Sequence, residues 1–157
     1  RGIGDSYLTG EPWRDRAPHL GFSAPARVVH LAPGQEPGVG FDILRSGGAP
    51  LDICDPYSDT SSLRALEPFL RGGRVLTSTK EAGRIDSAWA QQTQIQLRTT
   101  NILHDRFVIG PRRGFLIGCS LNGIGKKHSF ITELDNTMRV QVSAAFEDLW
   151  SQAERLP

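Results

Sequence analysis

Five side chains between positions 104 and 133 have the types that hold and attack a phosphate: His104, Arg106, Ser120, Asn122 and Glu133. An imidazole is partly neutral near pH 7, so it can act as a nucleophile toward phosphorus and then leave. A guanidinium two positions on keeps its charge and offers a planar fork to phosphate oxygens. A hydroxyl and a carboxamide supply hydrogen bonds to the same oxygens. The surrounding stretch is basic: Arg112, Arg113, Lys126 and Lys127 are candidate substrate contacts, and the polar setting of His128 adds it to them.

These residues need strands to position them. Phe107-Val108-Ile109, Phe115-Leu116-Ile117-Gly118 and Phe130-Ile131-Thr132 read as three neighbouring strands. The first two are joined by the tight turn Gly110-Pro111-Arg112-Arg113-Gly114. Ile102-Leu103 leads into His104, which is expected to share a strand face with Arg106 over a polar hollow with the serine–asparagine turn beneath. By the same alternation Asp105 is expected to face away and to be structural.

Upstream, Arg27 to Leu31 is predicted to be a strand, and residues 33 to 40 a loop. His30 within that strand reads as structural. Phe41 to Arg45 fits a short strand or one helical turn. Pro50 to Cys54 is predicted to be a central, parallel strand that ends at Asp55-Pro56-Tyr57. Asp59 or Ser58 can cap a helix that buries Leu63, Leu66, Phe69 and Leu70, disturbed late by Pro68 and stopped by Gly72-Gly73. Strands over Arg74 to Thr77 and Ile95 to Arg98 flank a poor helix over Glu81 to Gln92, with Ile85, Ala88 and Trp89 inward. Asp135 or Asn136 caps a final helix with Met138, Val142, Ala145, Phe146, Leu149 and Trp150 in its apolar stripe. Strands alternating with helices predict an α/β layered fold. Residues 1 to 25 show no sustained period and read as an irregular arm, with Tyr7, Trp13 and Phe22 as candidate anchors, ahead of one domain over 26–157.

The ordered set Asp55-Pro56-Tyr57, a strand ending in Leu76-Thr77-Ser78, His104-Asp105-Arg106-Phe107, Gly118-Cys119-Ser120-Leu121-Asn122 and a spaced Glu133 resembles the phospholipase D-like superfamily. That family's pattern is HxK(x4)D followed by GSxN, and the likeness is closest to a bacterial subset that reads HDRF. The resemblance covers roughly residues 50 to 150. It implies a mixed sheet flanked by helices with a single HxK-type site. It implies a metal-independent nuclease or other phosphodiesterase in which His104 forms a phosphohistidine, and no cofactor. A second histidine would protonate the leaving alcohol; with one motif present, that is His104 of another subunit in a homodimer. Glu133 would orient a histidine by accepting from its ring. A bacterial defence or mobile-element system is a setting for such a module. Three positions depart from the pattern: Arg106 stands at the lysine, Pro111 at the aspartate and Cys119 at the glycine of GSxN. They leave open an alternative, a catalytically inactive module that binds nucleic acid or scaffolds a partner. A layered domain with a merely structural histidine is the third reading.

Composition narrows the field. At 157 residues the chain can bury one substantial core, and its formal charge of +1 gives no global field for a polyanion. The two cysteines, Cys54 and Cys119, end apolar strands and read as buried free thiols, which fits a reducing cytoplasmic setting. Without clustered histidines they predict no zinc or other metal site. No apolar run is long enough to cross a bilayer and none reads as a signal peptide. No membrane-binding amphipathic segment is read either, and the local Arg/Lys set fits backbone phosphates, so nucleic acid is preferred to lipid as the substrate. The chain starts at Arg1 rather than Met, so a targeting segment or a larger parent protein stays open.

Overall fold

Alternation of buried side chains along the strands gives one sheet two different cores. A computed structural model describes residues 27–156. Its strands are β1 (Val28–Leu31), β2 (Asp52–Cys54), β3 (Arg74–Thr77), β4 (Gln96–Thr99), β5 (Arg106–Ile109), β6 (Gly114–Ile117), β7 (Ser129–Glu133) and β8 (Glu154–Arg155). They form one sheet in the order β1-β7-β6-β5-β2-β3-β4-β8. The helices are α1 (Pro37–Arg45), α2 (Thr60–Arg64), α3 (Glu67–Leu70), α4 (Ser87–Gln92) and α5 (Asn136–Gln152). Ile53, Val75, Val108, Phe115 and Ile131 point into a core completed by α1 to α4. Cys54, Leu76, Phe107 and Ile109 point the other way, onto Phe146 and Trp150 of α5. The result is the layered α/β architecture that the alternating pattern predicts.

Strands β2, β3 and β4 are parallel, with helical crossovers between them, and the other pairings are antiparallel. The strand ending at Cys54 is central as expected. It is parallel only to β3; on its other side it runs antiparallel to β5.

Three elements differ from the sequence reading. The stretch read as a loop over 33–40, followed by a short strand or one helical turn, is largely one helix, α1, starting at Pro37. Proline at the first helical position is pre-set for the helix and needs no amide partner there. Burial of Phe41 and Leu44 then outweighs the low helix propensity of Gly38 and Gly40. Gly40 is also required by packing: a Cβ there would sit 2.8 Å from the Ile124 side chain. Pro68 divides the helix predicted to bury Leu63, Leu66, Phe69 and Leu70 into α2 and α3, and Asp59 caps α2 by accepting from the Ser62 amide at 2.8 Å. The single helix expected over Glu81 to Gln92 is a short 3₁₀ turn, Ala82–Arg84, then α4. Ile85 is extended between them so that its side chain enters the core, and Ala88 is exposed. Asp86 caps α4 through the amides of Ala88 and Trp89, at 2.9 and 3.1 Å. Asp86→Ala is expected to lower stability by about 1 kcal/mol in urea melts.

The last helix is capped by Asp135, which accepts from the Met138 amide at 2.7 Å. Its apolar stripe is core only from Val142 onward; Met138 and Ala145 are exposed. Cys54 is buried and Cys119 half-buried, and both are free thiols. The predicted arm, with Tyr7, Trp13 and Phe22, lies outside the described residues. No helix among those described is long and apolar enough to cross a membrane.

Candidate functional site

Strand register decides which side chains can meet. Arg106 pairs with Ile117, and Phe107 with Cys54. The start of β5, the end of β6 and the end of β2 therefore share one edge of the sheet. That edge lies outside the carboxyl ends of the parallel strands, where open α/β sheets form their binding crevices. It carries Asp55-Pro56-Tyr57, His104 to Arg106, and the turn from Gly118 to Asn122.

Asp55 is the hub of this edge. It is 1% exposed and accepts from the Tyr57 amide at 3.0 Å and the Leu121 amide at 2.8 Å. Burial pushes its carboxyl above the ordinary 3.8, against the two amide donors and the nearby Arg106 charge. Asn122 clamps the same loop, its Nδ2 donating to the Tyr57 carbonyl at 3.1 Å and to Asp59 Oδ2 at 3.2 Å. The Ser120 hydroxyl donates to Asn122 Oδ1. Asp59 also faces Arg84. Burial pushes the Asp59 carboxyl up, but hydrogen bonds from the Ser62 amide and hydroxyl and from Asn122, with the Arg84 charge, hold it below the ordinary 3.8. Ser120 and Asn122 thus stand at the predicted edge, with their donors spent inside the protein.

Arg106 opens β5 with its guanidinium 5.5 Å from the centroid of the Tyr57 ring, a cation–π placement. Its Nε is buried with no hydrogen-bond partner among the described residues. His104 does not share a strand face with Arg106, because it lies before β5 begins. Its side chain is 96% exposed and projects from the edge into solvent rather than into a hollow. The expectation that Asp105 faces away fails for the same reason. Outside the strand the alternation does not apply, and Asp105 Oδ1 lies 3.0 Å from His104 Nδ1. Asp105, read from the sequence as structural, instead stands beside His104, and its adjacency in the chain was the available signal. Cys54 lies behind Asp105, its thiol 3.5 Å from the Asp105 carbonyl. Burial, then the Asp55 and Asp105 charges, push that thiol up to about 12, so it stays protonated and inert.

The remaining predicted residues divide between two places. Lys126, Lys127 and His128 are exposed just ahead of β7, at the same edge as His104. His128 Nδ1 lies 2.9 Å from Nε2 of His30 on the edge strand β1, a pairing across 98 positions that no local pattern signals. Arg112, Arg113 and Glu133 sit where β5 turns into β6. Glu133 pairs in register with Phe115, two strands across from Val108. It faces Arg113 at 3.4 Å, and the two line a cavity of about 230 Å³ with Arg27 and Asp42. The structure does not bring Glu133 to His104 of the same chain. Glu133→Gln is accordingly expected to lower stability by less than about 1 kcal/mol in urea melts, since its partner Arg113 is half-exposed and such pairs contribute little.

No protein-family model matches the chain, and no curated protein does. Solved structures do match. Nuc from Salmonella typhimurium, a phospholipase D family member, superposes with a TM-score of 0.67 at 14% identity, over 83% of this chain and 97% of its own. NucT from Helicobacter pylori gives 0.65 at 9% identity, over 83% and 99%. TrmBL2, an archaeal chromatin protein with a novel mode of DNA binding, gives 0.59 at 13% identity over 98% of this chain. This chain spans 63% of the length of TrmBL2. The chain therefore has the phospholipase D-like fold, a mixed sheet flanked by helices, as the motif resemblance implies.

Proposed function

We propose that this chain is a phospholipase D-like phosphodiesterase that cleaves nucleic acid with His104 as nucleophile. The observation that carries the reading is the single edge on which His104, Asp105 and Arg106 stand beside the Asp55-Pro56-Tyr57 loop. Asp105 engages Nδ1 of His104, which leaves Nε2 free to attack phosphorus. Attack forms an N–P bond and breaks the bond from phosphorus to the leaving oxygen. A second imidazole gives that oxygen its proton and then takes one from the water that hydrolyses the phosphohistidine. In a symmetric homodimer the partner's His104 supplies that imidazole. The exposure of His104 is what such a pairing needs. Arg106 neutralises the charge on the phosphate oxygens. Ser120 and Asn122, with their donors engaged, hold the Tyr57 loop instead of touching phosphate. Lys126 and Lys127 extend the positive edge along the backbone of the strand. The chemistry runs on imidazole alone and calls for no metal.

The exposure of His104 and the internal bonds of Ser120 and Asn122 also favour a second reading, a module that binds nucleic acid without cutting it. One assay separates the two. The chain is incubated with single- and double-stranded DNA and RNA in EDTA, beside His104→Ala. Products that vanish in the variant support the phosphodiesterase; salt-sensitive binding without products supports the binding module.

A further inference from the structure

We infer that the strand taken at this edge is single-stranded nucleic acid, and that Tyr57 is a stacking platform for one of its unpaired bases. The inference rests on the nucleic-acid reading above and adds the form of the substrate. Large apolar side chains are exposed at two points flanking the His104–Arg106 segment: Tyr57, 46% exposed, and Ile102, 70% exposed. Exposed aromatics on flexible loops are common and signify little. Tyr57 is different because its backbone is pinned on both sides. Its amide donates to buried Asp55, and its carbonyl accepts from Asn122. The preceding carbonyl, of Pro56, accepts from the Ser78 hydroxyl at 2.8 Å and the Thr77 hydroxyl at 3.3 Å. A ring held this way loses little freedom when a flat partner packs on it.

The ring also stands where a base would fall. The Arg106 guanidinium lies 5.5 Å from its centroid. Base and phosphate of one nucleotide are separated only by a sugar, so a base stacked on Tyr57 delivers a neighbouring phosphate to Arg106. A paired base cannot take that position: in a duplex its faces are covered by the bases above and below. Reaching it would require flipping it out of the stack. Aromatic platforms beside a cationic backbone track are the general device for unpaired strands. Ile102, one residue beyond Asn101 on the approach to His104, gives the next base an apolar surface.

The test uses His104→Ala protein, so that binding is read without cleavage, and labelled oligonucleotides in fluorescence anisotropy at fixed salt. The single strand is expected to bind at least about tenfold tighter than a duplex of the same sequence. Tyr57→Ala in the same background should lose about that tenfold on the single strand and leave the duplex unchanged, while Tyr57→Phe keeps the preference. An abasic single strand, which retains the phosphates, should bind like the duplex and ignore the Tyr57 change. Thermal melts confirm that each variant is folded; should Tyr57→Ala unfold, the abasic strand and Tyr57→Leu report on stacking in its place. Equal affinity for single strand and duplex, or a single-strand affinity indifferent to Tyr57, overturns the inference and leaves the phosphodiesterase reading standing. Binding of no nucleic acid at all removes both.

Discussion

If the proposed mechanism holds, His104→Ala is expected to lower cleavage of nucleic acid in EDTA by at least about a hundredfold and to leave the fold as stable as before. Both halves of this expectation come from where the imidazole sits. Its side chain is 96% exposed and, among the described residues, hydrogen-bonds to the exposed Asp105, so its removal opens no cavity and orphans no buried group. Exposed substitutions of this kind change stability by no more than about 0.5 kcal/mol. Activity has no such reserve. Arg106 can hold a phosphate oxygen but cannot form the covalent intermediate, and Cys54 is buried and protonated. In a homodimer the variant loses both imidazoles of the shared site at once, so nucleophile and acid disappear together. Single-turnover rates beside circular dichroism and a melting curve check this. Cleavage that persists unchanged in a folded variant would take His104 out of the reaction.

Much of the frame was legible because strands announce themselves by apolar alternation. The bounds of β3 match the predicted Arg74 to Thr77, and β5, β6 and β7 fall within a residue or so of their predicted places. What the pattern could not convey was which end of the sheet each residue reaches. Glu133 lies thirteen positions after Ser120, yet the five residues of β7 intervene. At ~3.4 Å per residue they carry the chain about 14–17 Å along the sheet. A spacing that suited a motif therefore delivers the carboxylate to Arg113 instead. Arg112 and Arg113 stand at that same far end, since they lie in the turn between the antiparallel strands β5 and β6. The Asp105 error was smaller in origin: β5 begins two residues after His104, so facing rules for strands were applied where there is no strand. Ser120 and Asn122 reach the same edge as His104, but only side-chain geometry reveals that Asn122 bonds to Tyr57 and Ser120 to Asn122. Helix α1 was hidden because its glycines argue against a helix, while the packing that outweighs them is tertiary.

The largest stability effect is expected at Asp55, the residue on which the edge depends. Asp55→Ala leaves the buried amide of Leu121 and the half-buried amide of Tyr57 without an acceptor, and should lower stability by about 2–3 kcal/mol. The same change frees the Tyr57 loop from the turn at Leu121, so single-strand binding should fall with it. Asp55→Asn keeps one acceptor and separates hydrogen bonding from charge. Burial makes the folded state hold the Asp55 proton more tightly than the unfolded chain does, for which 3.8 is the ordinary value. Between 3.8 and the raised folded value, the folded protein therefore carries more protons, and the stability due to Asp55 declines as pH rises through that window. Asp59 acts with the opposite sign. Its folded value lies below 3.8, so its contribution is present above that pH and is lost as pH falls through the folded value. The two windows meet at 3.8 without overlapping. Urea midpoints measured across the acid range should thus show Asp55→Asn flattening only the upper window, with the lower one untouched. If Asp55→Ala instead melted with the wild type, the Tyr57 loop would be held by Asn122 and Pro56 alone, and Asp55 would no longer explain the rigidity of the ring.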